Sequence, residues 1–179
     1  MIGVLVSGEG TNLQALIDSG LPIGAVASNR ADAHAITRAD VAGIPNRVFE
    51  VDGYPDRAAR DREMADWLQL RGVELVVLAG YMHLLTAPFL TRFPDRIVNV
   101  HPSLLPQFPG AHPIDDALAA GVDATGVTVH LVDEGLDSGP VIAQEEVPVE
   151  PRETLEERIH AVEHRLLPKV VSELCHVRS

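Results

Sequence analysis

The chain has one cysteine, Cys175, which excludes an internal disulfide and a cysteine-based zinc site. No neighbouring residue would activate its thiol, so packing or plain surface is its expected role. Basic charge is equally scarce. One lysine and thirteen arginines face 26 acidic residues, for a formal net charge of −12. Such a chain has no basic stripe to neutralise nucleic-acid phosphates and is poorly suited to an anionic membrane surface. No apolar run approaches the ~20 residues that cross a bilayer. No basic lead or cleavage site accompanies the opening Ile-Gly-Val-Leu-Val, so a cytoplasmic location is expected. An anionic ligand must then be held by local positive potential, from a helix N-terminus or single arginines.

What is present reads as an α/β protein. A chain of 179 residues fits one domain, and one of that size buries roughly 70% of its unfolded surface. Apolar runs recur at 2–6, 23–27, 47–51, 74–79 and 96–100. They are nearly continuous and rich in Val, Ile and Leu, as strands buried on both faces of a parallel sheet are. Helices are predicted between them at about 12–19, 32–42, 56–71, 86–92 and 112–120, with Asp32 and Asp56 as N-caps. Runs 126–132 and 140–148 differ: the first alternates and the second follows a Gly-Pro turn, which predicts an antiparallel pair. A last helix is expected over about 154–175, with Thr154 and Glu157 near a capping box. The whole predicts a single-domain, doubly wound, mostly parallel sheet with helices on both faces. There is no repeat, low-complexity tract or linker.

Two motifs carry chemistry. Ser-Gly-Glu-Gly-Thr-Asn at 7–12 follows the first strand and opens the first helix, so the N–H groups of Gly10, Thr11 and Asn12 can face an anion. The third glycine of a dinucleotide fingerprint and the Gly-Lys-Ser/Thr of a Walker loop are both missing. A phosphomonoester is the natural guest; the plain alternative is a strand-to-helix turn. Glu9 obstructs the first reading unless its side chain faces away.

The second motif is Ile-Val-Asn-Val-His-Pro at 97–102. Residues two apart on a strand point the same way, so Asn99 and His101 stand side by side at a strand end, where α/β sheets place ligands. Asp137, in a glycine-flanked turn, can supply a carboxylate. A carboxylate beside an imidazole favours its charged form, and an amide can donate to a developing oxyanion. The set suits acyl chemistry.

Other residues are less specific. His112 either caps the helix that follows or faces the site. His34, His83, His130, His160, His164 and His176 show no metal-ligand spacing, and structural or surface roles are expected for them. Ser7 and Ser103 lie outside any nucleophile elbow. Met82-His83-Leu84-Leu85 reads as core packing or, alternatively, as a slot for a flat apolar ligand read by backbone groups.

The stretches 7–18, Val-Leu-Ala-Gly-Tyr-Met at 77–82, Asn-Val-His-Pro-Ser-Leu-Leu-Pro at 99–106 and Leu-Asp-Ser-Gly-Pro-Val-Ile at 136–142 occur in this order. Together they resemble the folate-dependent phosphoribosylglycinamide formyltransferases over nearly the whole chain. The central motif is shared with other 10-formyltetrahydrofolate enzymes; the N-terminal loop points to the ribonucleotide acceptor. The resemblance implies a Rossmann-like formyltransferase fold, with about 1–80 as the phosphate-binding half and about 81–179 as the folate-binding and catalytic half. It implies Asn99, His101 and Asp137 as the catalytic set. Gly10, Thr11, Asn12 and Glu163 would bind the acceptor, glycinamide ribonucleotide. Arg57, Met82, His83, Leu84, Leu85 and Asn99 would hold the co-substrate 10-formyltetrahydrofolate. No metal is implied, and a monomer and a homodimer both remain open. His83 stands where relatives usually carry Arg or Lys, and His160 where many carry an amide or amine. The nearest alternatives are a relative acting on another acceptor or on water, and a binding module without catalysis.

Overall fold

The computed structural model describes residues 1–177. Among them lie seven strands and six α-helices: β1 (Ile2–Val6), α1 (Thr11–Asp18), β2 (Ile23–Ser28), α2 (His34–Val41), β3 (Asn46–Val48), α3 (Arg57–Leu70), β4 (Leu75–Leu78), α4 (Ala87–Leu90), β5 (Ile97–His101), α5 (Pro113–Ala120), β6 (Ala124–Leu131), β7 (Val141–Pro148) and α6 (Leu155–His176). The strands form one sheet in the order β3-β2-β1-β4-β5-β6-β7. This is the mostly parallel α/β arrangement expected from the apolar runs. The chain divides into two compact units, Met1–Val98 and Asn99–Ser179.

In the first unit β1 pairs in parallel with β2 and β4, setting Val4 opposite both Val26 and Val77. Every residue of β1 and β4 is buried, which is why their sequences lack a polar alternation. The ends of several elements differ from expectation for local reasons. Strand β3 spans three residues rather than 47–51; Phe49 N–H still donates to Ser28 O at 2.7 Å, and a 3₁₀ turn over Val51–Gly53 then leads away. Helix α2 begins at His34, with Ala33 in the cap position. Asp32 does not cap it, because Arg30 engages its carboxylate in a fork at 2.9 and 2.7 Å. Asp56 does cap α3, accepting from Ala59 N–H at 2.8 Å. Helix α4 is a single turn, shorter than 86–92.

In the second unit β6 and β7 are antiparallel, with Val127 opposite Glu145, as the alternation at 126–132 predicts. Helix α6 buries Leu155, Ile159, Val162, Leu166 and Val170 along one face at helical spacing. The expected capping box does not form. Thr154 donates to Pro151 O at 3.3 Å and accepts from Arg158 Nε at 3.0 Å, because a 3₁₀ turn over Arg152–Thr154 leads into the helix.

Candidate active site

In the second unit β5 delivers Asn99 and His101 two residues apart. Pro102 then ends the strand. His101 is buried, with Nδ1 3.6 Å from Asp137 Oδ2. Its Nε2 lies 2.8 Å from Phe108 O; a carbonyl only accepts, so Nε2 carries the proton in that contact. Asp137 in turn accepts from Gly110 N–H at 2.9 Å. Phe108 and Asp137 both adopt left-handed backbone, at φ 51° and 50°, the kind of conformation that concentrates where a site imposes geometry.

A fourth group, His130, joins this cluster, and sequence reasoning missed it. Its Nε2 lies 3.3 Å from Asn99 Nδ2 and 3.8 Å from Asp137 Oδ1, and its Nδ1 lies 2.9 Å from Leu131 O. Since Leu131 O must accept, Nδ1 holds the proton and the Nε2 lone pair accepts from Asn99. The Asn99 amide is thereby oriented, with its second N–H left to point elsewhere. The available signal was local: Thr128 and His130 are polar yet buried residues two apart on β6. Thr128 Oγ1 donates to Ser103 O at 2.7 Å, while the Ser103 hydroxyl donates to Gln107 O at 2.5 Å. Ser103 therefore braces the turn after β5. His112 occupies the α5 cap position without a side-chain cap bond and is exposed. Glu163 is a buried carboxylate on α6. Among the described residues no group of three or more His, Cys, Asp or Glu could hold a metal ion.

In the first unit, residues 7–12 line a cavity of about 350 Å³ together with Arg30, Ala79, Gly80 and Met82. Gly10 occupies the cap position of α1 at φ 75°, and the first turn of a helix directs N–H groups outward. Glu9 is exposed and its carboxylate lies 3.5 Å from His34 Nδ1, while its carbonyl accepts from Arg38 Nε at 2.7 Å. Glu9 is nonetheless among the residues lining the cavity, so the objection its charge raises to an anionic guest stands. Arg30 supplies positive charge at the rim, although hydrogen bonding from it already holds Asp32 below the usual carboxylate range. A methyl group on Gly10 would lie 2.6 Å from Ala35 Cβ and 2.8 Å from Ala35 Cα, on a backbone that L residues seldom adopt. Gly10→Ala should therefore cost about 1–3 kcal/mol of stability, read as a lower Tm.

The segment after β4 is not the core wall that its composition suggests. Met82 and Leu84 are 70% and 53% exposed, and His83 and Leu85 are half-buried. Tyr81 is buried, its ring edge-on to His83, and burial pushes its hydroxyl up to about 12. Burial, with help from the charges of Arg60 and Arg57, holds the His83 imidazole below its ordinary range. Arg57 itself is exposed at the start of α3.

The formyl transferase family model matches residues 1–171, which places the chain in a formyl-transferring class. A phosphoribosylglycinamide formyltransferase of Bacillus subtilis is 38% identical over 96% of this chain and 92% of its own length. The solved glycinamide ribonucleotide transformylase 1 of Geobacillus kaustophilus superposes with a TM-score of 0.93 at 47% identity, covering 97% of each chain. The trifunctional purine biosynthetic protein adenosine-3 of Drosophila pseudoobscura pseudoobscura is 44% identical over 96% of this chain, which spans only 13% of that protein. The chain belongs to the phosphoribosylglycinamide formyltransferase family.

Proposed function

We propose that the chain transfers a formyl group from 10-formyltetrahydrofolate to the primary amine of glycinamide ribonucleotide. The observation that carries this reading is the meeting of an amide, an imidazole and a carboxylate, Asn99, His101 and Asp137, in one cluster, with the imidazole buried and the other two part-exposed. Attack of the amine on the formyl carbon gives a tetrahedral species whose oxygen bears the new charge. Asn99 and the imidazolium of His101 donate to that oxygen, one such donor being worth about 10²–10³ in rate. Asp137 orients the ring, and through it helps pass the amine's proton toward the departing folate nitrogen. Holding both substrates in line supplies much of the rest. The mechanism uses no metal and no covalent intermediate. In the structure His101 Nε2–H rests on the Phe108 carbonyl, so offering that proton to a substrate requires the turn at 107–110 to release it.

In this reading Gly10, Thr11 and Asn12 bind the acceptor's phosphate and Glu163 its glycinamide end. Arg57 and residues 82–85 hold the donor, with the exposed Met82 and Leu84 packing on its flat ring system. The chain works as a single catalytic domain in the cytoplasm. A spectroscopic assay of tetrahydrofolate release tests the proposal, run with and without glycinamide ribonucleotide. Release that depends on the ribonucleotide is expected. Equal release without it marks a hydrolase, and donor binding with no release marks a binding module; either result overturns the reading.

A further inference from the structure

The first unit buries a charged pair that the transfer chemistry does not use. Arg60 and Asp61, adjacent on α3, are both fully buried, with Arg60 Nε and Nη2 on Asp61 Oδ1 at 2.9 and 2.7 Å. Removing two charges from water is costly, and apolar side chains of similar volume often serve stability as well or better. The pair's remaining hydrogen bonds all run to one short stretch. Arg60 Nη1 lies 2.8 Å from His83 Nδ1, and Asp61 Oδ2 accepts from both the N–H and the hydroxyl of Thr86 at 2.8 Å. A third hold comes from Ser7, whose Oγ accepts from Met82 N–H at 2.9 Å and donates to Asn29 Oδ1 at 2.6 Å.

Residues 82–86 belong to no helix or strand, so these side chains do the fixing that a backbone ladder does elsewhere. They grip positions 82, 83 and 86 while Met82 and Leu84 project outward. His83 is kept below its ordinary range by burial and by the guanidinium itself, which leaves its Nδ1 lone pair to accept from Arg60. An apolar pair at 60 and 61 could fill the same space but could not set this conformation.

We propose that Arg60 and Asp61 are positioning residues for the formyl donor: through His83 and Thr86 they fix the segment that presents Met82 and Leu84 to the donor's ring system, without touching the donor. The proposal rests on the reading that residues 82–85 line the donor slot.

The test uses three variants of the whole chain. Arg60→Met/Asp61→Leu removes both charges at similar volume, Thr86→Val removes one hydroxyl bond and keeps the shape, and Arg60→Lys keeps a cation without the guanidinium fork. Folding is checked by circular dichroism. Calorimetry then gives tetrahydrofolate affinity, and steady-state rates give KM for each substrate. In the double variant the tetrahydrofolate Kd and the donor KM should rise about tenfold or more, with acceptor KM, whose cavity Met82 also lines, rising no more than about threefold. Thr86→Val and Arg60→Lys should show the same split at roughly threefold. A purely structural pair would shift Tm without separating the two KM values. A folded double variant with wild-type donor KM and tetrahydrofolate Kd overturns the proposal. If the double variant fails to fold, unchanged donor KM in both single variants overturns it equally. The wild-type protein decides the underlying reading: if it fails to bind tetrahydrofolate, the donor slot falls and the proposal with it. Binding by the wild type with no loss in the variants sinks the positioning role alone.

Discussion

Replacing His101 with asparagine lowers kcat by about 10²–10⁴ while changing either KM only a few-fold. The ring is buried at the end of β5 with one nitrogen toward Asp137 and the other on the Phe108 carbonyl. Asparagine is smaller, and its amide takes the place of Nδ1 and falls short of the Phe108 carbonyl, so the turn after β5 loses that one bond and folding must be verified beside the rate. What it lacks is a group that can carry a proton and a positive charge beside the developing oxyanion. The loss therefore falls on the chemical step. Initial rates of tetrahydrofolate release, with folding verified by circular dichroism, provide the check, and a folded variant within tenfold of wild-type kcat would contradict the role.

Asp137→Asn is expected to lose about 10²–10³ in kcat, with little change in stability. Residue 137 sits at φ 50°, where asparagine is as well tolerated as aspartate. Its Oδ1 can still accept from Gly110 N–H, which holds the 107–110 turn in place. Only the negative charge disappears, 3.6 Å from His101 Nδ1 and 3.8 Å from His130 Nε2. The substitution thus separates charge from shape. Turnover at the wild-type rate would show that Asp137 acts as a tether for the turn and not on the imidazole.

The parts of this molecule legible in its sequence are those fixed by short-range rules. Strands β1 and β4 announced themselves because burial on both faces leaves no polar residue in their runs. Asn99 and His101 were legible as a pair because strand geometry alone puts residues two apart on one side. The missed caps show the limit of local patterns. Asp32 and Thr154 both have cap chemistry, yet nearby donors, Arg30 and Arg158, took their oxygens first. His130 looked like one histidine in an alternating strand, because its meaning depends on β5 and the 137 turn, both distant in sequence. Arg60 and Asp61 were harder still. Arg-Ala-Ala-Arg-Asp-Arg-Glu reads as a solvated helix face, and nothing local says that the middle pair is fully buried. Met82 and Leu84 failed the opposite way, since apolar residues after a buried strand suggest core but here stand exposed.

The most direct test of the catalytic cluster is a double-mutant cycle on kcat between His101→Asn and Asp137→Asn. If the carboxylate acts only through the imidazole, the double variant is no slower than the His101 variant alone, within about twofold. Losses that multiply across the two positions would mean that Asp137 and His101 work independently, and would contradict the account.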